Sequence, residues 1–409
     1  MTWDILIAEP ERDKYKKKLD EIVACAIDNK DKLESKNIGL MGGKIGLALL
    51  LFYYARLTRE EQYYDLAIKT VEEVFDEINR DFVYHTFAGG LAGIGWVVEH
   101  LVKNEFIEAD SNEILEDIDP FLRKMMVADI KSGNYDYLHG ACGVGLYFLS
   151  RLPNPLAKEA LVELIDELDQ ISHKEEDGAL KWKSILNREE GTQGYNLSLS
   201  HGISSIIAFL GKAYALDINR DKTASLLKGA VQFLFKNEMD TTQFLSRFPS
   251  WISDTPEPPT NSRLAWCYGD LGVGISLWQA GRDFNNPQWQ KEAIDTLLFS
   301  TKRRDAKESM IIDAGLCHGA AGLAHLYNRA FQHTGVPAFK DTALYWANYT
   351  LAMASHPDGM AGYKAWHTEK YGGWVGETAF LEGIAGIGLA IISLISDIES
   401  VWDGALLMS

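Results

Sequence analysis

Seven times along the 409-residue chain the same short pattern returns: a glycine, two residues, a second small residue, then an apolar run. It reads Gly43-Lys44-Ile45-Gly46, Gly90-Leu91-Ala92-Gly93, Gly140-Ala141-Cys142-Gly143, a degenerate Gly202-Ile203-Ser204-Ser205, Gly269-Asp270-Leu271-Gly272, Gly319-Ala320-Ala321-Gly322 and Gly383-Ile384-Ala385-Gly386. The first glycines are 47, 50, 62, 67, 50 and 64 residues apart. Self-similarity at such a period marks a repeat architecture. Each copy opens an apolar stretch long enough for a helix, as at 46–54 and 386–395. Amphipathic segments lie between copies. In 60–79, Tyr63, Ala67, Thr70, Val71, Val74 and Ile78 recur at helical spacing with charges between them. Residues 156–171 and 221–236 read the same way, and alternating β-branched runs are scarce.

Glycine inside a helix costs about 1 kcal/mol against alanine. Seven repetitions of that cost imply a packing reason, and small residues let helices converge as an inner ring requires. The expected fold is all-α: an α/α toroid of seven inner and seven outer helices, one domain spanning 1–409. An open helical solenoid is the alternative. Both terminal copies keep the full motif instead of turning polar, which favours closure.

Composition narrows the function. The formal net charge is -18, which argues against nucleic acid as partner, because phosphate binding needs clustered Lys and Arg. An acidic surface suits solubility and could steer a cationic peptide. The start shows no basic region followed by an apolar one, and the longest apolar runs, 45–54 and 384–395, are shorter than a bilayer span. The expectation is a cytoplasmic protein without membrane insertion. Four cysteines (Cys25, Cys142, Cys267, Cys317) in so long a chain do not form a disulfide framework; they are core thiols, metal ligands or nucleophiles.

Aligning the copies on their first glycine locates the chemistry. The two preceding residues are Met41-Gly42, Ala88-Gly89, Leu138-His139, Ser200-His201, Cys267-Tyr268, Cys317-His318 and Leu381-Glu382. Reactive side chains concentrate at one level of neighbouring repeats. Two thiolates and an imidazole suit zinc, and three protein ligands without an evident fourth is the pattern of a catalytic site. Cys317 and His318 are adjacent, and neighbours on a helix diverge by about 100°, so both face one metal only in a turn. Ligand types alone leave a second reading open, since a lone cysteine is usually a small buried hydrophobe. Cys25 and Cys142 fit that description. His201 alone would read as a structural histidine; its register with Cys267 and Cys317 favours function. The roles of His139 and Glu382 stay open. Residues 178–199, 241–264 and 354–379 read as long loops, often functional in compact domains. Their Trp251, Trp366 and Trp374, with Trp266 nearby, either line a peptide groove or pack the loops.

The Cys-Tyr-Gly, Cys-His-Gly and Ser-His-Gly motifs on a sevenfold glycine repeat resemble the lanthionine synthetase C-like (LanC) family, from about Leu40 onward. The stretch from Phe380-Leu381-Glu382-Gly383 through Trp402-Asp403 to Leu406-Leu407 is similar to the family's bacterial peptide cyclases. The resemblance implies a toroid carrying Zn2+ and the cyclase of class I lanthipeptide biosynthesis. Its substrate would be a precursor peptide dehydrated by a partner dehydratase, with an export transporter as a further partner. Peptide cysteine thiols would add across dehydroalanine or dehydrobutyrine to form thioether rings. By the same resemblance Cys267, Cys317 and His318 match the zinc ligands and His201 the acid/base. Asp136, Arg263 and Tyr268 match active-site positions; His139 has no counterpart role.

The chemistry agrees. A thiol has a pKa near 8.5 and reacts as thiolate, and coordination to zinc deprotonates it. The enolate left by addition needs a proton, which a histidine with a pKa near 6.5 can supply. Arg263 could offset negative charge there. Asp136 could orient His201 or simply cap a helix. The rival readings are glutathione addition to dehydroamino acids in proteins, a toroidal zinc prenyltransferase (whose metal site normally includes a carboxylate), and a non-catalytic peptide-binding scaffold.

Overall fold

The computed structural model describes residues 3–30, 37–80, 82–187, 190–255 and 257–409; parts of the first two expected loops, Arg188, Glu189 and Pro256, lie outside the described residues. The helices in chain order are α1 (Arg12–Asn29), α2 (Lys44–Thr58), α3 (Glu61–Ile78), α4 (Leu91–Lys103), a short α5 (Ser111–Leu115), α6 (Ile118–Lys131), α7 (Ala141–Ser150) and α8 (Pro155–Gln170). There follow α9 (Ile203–Ala215), α10 (Arg220–Lys236), α11 (Asp270–Asp283), α12 (Pro287–Ser300), α13 (Ala320–Thr334), α14 (Pro337–Ala352) and α15 (Ile384–Ile395).

Seven of them, α2, α4, α7, α9, α11, α13 and α15, begin on the residue after a repeat glycine. All twelve residues of α15 are buried, as expected of a helix that is apolar all round. The other seven long helices are amphipathic. In α3 the buried residues Ala67, Thr70, Val74 and Glu77 recur every three or four positions. Two of these begin alike: Asn154 accepts hydrogen bonds from the backbone of Leu156 and Ala157 before α8, and Asn286 from Gln288 and Trp289 before α12, each followed by proline.

The glycines answer to something more specific than helix convergence. A Cβ on Gly46, Gly143, Gly272, Gly322 or Gly386 would stand 2.3, 2.0, 2.5, 2.0 or 2.0 Å from the carbonyl oxygen six residues earlier. The lead-in turn therefore folds directly onto the first turn of its own helix. A neighbouring lead-in presses on the same spot: Phe380 on Gly46, Phe87 on Gly143, Leu199 on Gly272 and Leu316 on Gly386. Gly269 adds a backbone requirement, with φ at 83°.

The chain divides into two compact units. The first comprises Met1–Tyr84, Ala88–Gly90 and Arg304–Trp402. In it α2 packs on α3, α13 on α14, and α1 on α15, while α15 lies against both α13 and α2. The first and last glycine-led helices are thus neighbours. Backbone bonds tie their lead-ins: Leu381 N–H donates to Met41 O (2.9 Å), Met41 N–H to Ala88 O (2.8 Å), and Leu316 and Cys317 N–H to Leu381 O (2.9 and 3.1 Å). The second unit comprises His85–Phe87, Leu91–Arg303 and Asp403–Ser409. Here α7 packs on α4, α6, α8 and α9, and α11 on α9 and α12. Leu199 N–H donates to Cys267 O (3.0 Å). The final residues belong to this core: the carbonyls of Leu406 and Leu407 accept hydrogen bonds from Trp266 Nε1 and Gln279 Nε2 (2.7 and 2.6 Å).

The three expected loops are not structureless. Within the second unit β1 (His173–Lys174) pairs with β2 (Leu180–Lys181), and β3 (Ser184–Asn187), β4 (Thr192–Asn196) and β5 (Trp251–Ser253) make an antiparallel sheet in that order. In the first unit β6 (Ala365–Trp366) pairs with β7 (Trp374–Val375). These strands are two to five residues long, too short for an alternating pattern to register. No described helix is long and apolar enough to cross a membrane.

Candidate functional site

In the second unit the lead-ins of α7, α9 and α11 bring four of the expected residues together. His201 Nδ1 is 2.7 Å from Asp136 Oδ2. The other carboxylate oxygen of Asp136 accepts the His139 backbone N–H at 2.8 Å. Asp136 thus spends one oxygen on the turn before α7 and the other on His201. Burial pushes its carboxyl up, but the bond and charge of His201, with the His139 N–H, outweigh this and hold it below the usual carboxylate range. The His201 backbone is fixed by Ser198, whose Oγ accepts its N–H at 3.0 Å. The His139 ring stacks near His201, centroids 6.0 Å apart.

Tyr268 joins this group. Its ring centroid is 6.3 Å from that of His201, and Asn196 Nδ2 donates to its hydroxyl at 3.4 Å. Burial raises its phenol pKa, so it stays a neutral donor at physiological pH. Cys267, one residue earlier, is a buried cysteine. Arg263 is half-buried on the same lead-in, and a Cβ on Gly269 would stand 2.3 Å from its carbonyl. Of the tryptophans, Trp266 is fully buried and belongs to the core, whereas Trp251 is 45% exposed and stands edge-on to Tyr268.

In the first unit the lead-in of α13 carries Cys317, which is buried, and His318. His318 Nε2 lies 3.6 Å from Asp313 Oδ2. Asp313 is itself held by backbone donors, Gly315 N–H on Oδ1 and Trp366 N–H on Oδ2, both 3.0 Å. A carboxylate behind one ring nitrogen is the usual support for a metal-binding histidine. Sequence reasoning missed Asp313; it sits six residues before its glycine and acquires its place only through the β6 strand. Trp366 and Trp374 pack on each other, centroids 5.2 Å apart. Cys142 is buried on α7 with its thiol pKa pushed well up, mainly by burial, which fits its reading as a core residue.

A family model described as lanthionine synthetase C-like protein matches residues 34–407. The nisin biosynthesis protein NisC of Lactococcus lactis subsp. lactis is 21% identical over 93% of this chain and 91% of its own length. Glutathione S-transferase LANCL1 of Danio rerio is 22% identical over 84% and 85%. A solved structure, nisin cyclase, superposes with a TM-score of 0.75 at 18% identity, covering 96% of this chain and 97% of that one. At that identity the likeness shows the fold: it is all-α, an α/α toroid.

Proposed function

Because the chain belongs to the lanthionine synthetase C-like protein family, we propose that it is a zinc-dependent lanthipeptide cyclase working as a single toroidal domain in the cytoplasm. Its substrate is a precursor peptide whose Ser and Thr a partner dehydratase has dehydrated, and a transporter would export the product. The support is the donor set itself: two cysteines, Cys267 and Cys317, and one histidine, His318, each on the turn before a repeat glycine. Two buried cysteine sulfurs and an imidazole backed by Asp313 suit zinc. Zinc bound there would hold an incoming peptide thiol as its nucleophilic thiolate.

The rest is the work of this chain's own residues. The thiolate sulfur attacks the β-carbon of dehydroalanine or dehydrobutyrine; a C–S bond forms and the double-bond electrons move toward the carbonyl. His201 delivers a proton to the α-carbon. Asp136, ionised and 2.7 Å from Nδ1, fixes the ring and leaves Nε2 to face substrate. Tyr268 and Arg263 are suited to stabilise the enolate oxygen, the one as a neutral donor and the other as a cation.

The test is incubation of a dehydrated candidate peptide with the protein, then thiol blocking and mass spectrometry. Cyclisation leaves the peptide mass unchanged and protects its cysteines; cysteines that remain fully blockable refute it. Similarity to a glutathione S-transferase keeps a second reading in play, and added glutathione distinguishes it through a mass gain of one glutathione per dehydro residue.

A further inference from the structure

One cluster of metal-type donors is left over. His367, Glu377 and Glu382 all lie in the first unit, and one ligand atom from each falls within 4.8 Å of the others. His367 follows β6 directly, Glu377 follows β7 by one residue, and Glu382 precedes Gly383 at the start of α15. A hairpin thus supplies two donors and a repeat lead-in the third. Glu382 stands at the register position that His201 and His318 occupy in their repeats.

The geometry is that of close ion-pair contacts without a hydrogen bond. His367 Nε2 is 3.0 Å from Glu377 Oε1 and 3.2 Å from Glu382 Oε2. It is nevertheless a buried nitrogen with no hydrogen-bond partner among the described residues. The oxygens are close enough to accept but lie out of line with an N–H. Donors that crowd to about 3 Å without pointing at one another are arranged as ligands around a common centre, for which metal–ligand distances of about 2.0–2.2 Å give such spacings. The donor types point the same way. Two glutamates facing one imidazole are a donor set of the kind that holds one divalent cation.

We propose that His367, Glu377 and Glu382 form a second cation site, separate from the thiolate set. It takes a divalent first-row ion of the Mn2+ type, with water completing the shell. One imidazole and two carboxylates make an oxygen-rich donor set, which suits Mn2+, whereas thiolates select softer ions. Such an ion would clamp the β6–β7 hairpin to the start of α15.

The experiment is titration of Mn2+ into the zinc-loaded full-length protein, following the free-Mn2+ EPR signal. One saturable Mn2+ per chain is expected. Glu382→Gln and His367→Ala each weaken it at least about tenfold, while Cys317→Ala keeps it. Thermal melts verify that each variant is folded, and Glu377→Gln substitutes for one that is not. Absence of saturable binding to the wild type overturns the proposal, as does binding unchanged in the folded variants. Either outcome is independent of the cyclase reading, because Mn2+ retention is read without peptide and without the cysteines.

Discussion

His201 and His318 hold the same place in their repeats, one residue before the glycine that starts a buried helix, yet the two units treat them differently. His201 is 32% exposed and makes a 2.7 Å hydrogen bond to Asp136, which comes from the lead-in of another repeat. His318 is 15% exposed and lies 3.6 Å from Asp313, which comes from its own lead-in. A short bond to a carboxylate fixes the orientation of a ring, which suits proton delivery at its other nitrogen. A longer contact supports a ring without claiming it and leaves it available as a ligand. The residue in front reinforces the contrast: Ser200 precedes one histidine and Cys317 the other. One backbone register therefore places two histidines in different surroundings, set by the partner carboxylate and the preceding side chain.

The strongest way to break this comparison is to remove the thiols. Cys317→Ala and Cys267→Ala should each lose zinc and depress cyclisation by at least about 10³-fold, the scale of a metal's several kcal/mol. Stoichiometric zinc in both purified variants, measured by elemental analysis, would sink the ligand assignment. On the other side, His201→Ala should retain zinc and lose about 10²–10⁴-fold in turnover, the usual worth of a general acid. A wild-type rate and wild-type product stereochemistry would remove its role. Asp136→Asn sharpens the point: it should retain zinc and slow turnover by less than His201→Ala.

Asp313→Asn probes the looser contact. Support of a metal-binding histidine is worth about 10–100-fold in metal affinity, so zinc should bind more weakly in competition with a chelator, with saturated turnover little changed. The smallest effect is on stability. Asp136 ionises more readily folded than unfolded. Its contribution is fully present above the ordinary value of 3.8 and is lost as pH falls through its lower folded value. Urea midpoints of wild type and Asp136→Asn should therefore differ most above about pH 5 and converge in acid. A pH-independent gap would mean that this ionisation does not contribute.

The helices were legible because their signals are local. Glycine before an apolar run, and a three-to-four spacing in segments such as 60–79, are set by neighbours in sequence. The seven glycine-led starts and the seven amphipathic helices follow from them. The register of Cys267, Cys317, His318 and His201 was legible for the same reason, as an offset from a glycine. The strand pairs were not, since two-residue strands such as Ala365–Trp366 have no period of their own and exist by pairing across a loop.

Partnership is what the tertiary structure alone decided. Asp136 and His201 are 65 residues apart in sequence, and only packed lead-ins make them a pair. His367 and Glu377 meet Glu382 because a hairpin folds against the start of α15. Even the glycines were half-read: their smallness was evident, but the carbonyl that a Cβ on Gly143 or Gly386 would strike belongs to a turn no pattern announces. The sequence by itself determined which residues stand at the head of each buried helix, because backbone and burial preferences act over a few residues. Which of those heads face each other, and so which chemistry each performs, depends on contacts between distant segments, and that only the folded chain decides.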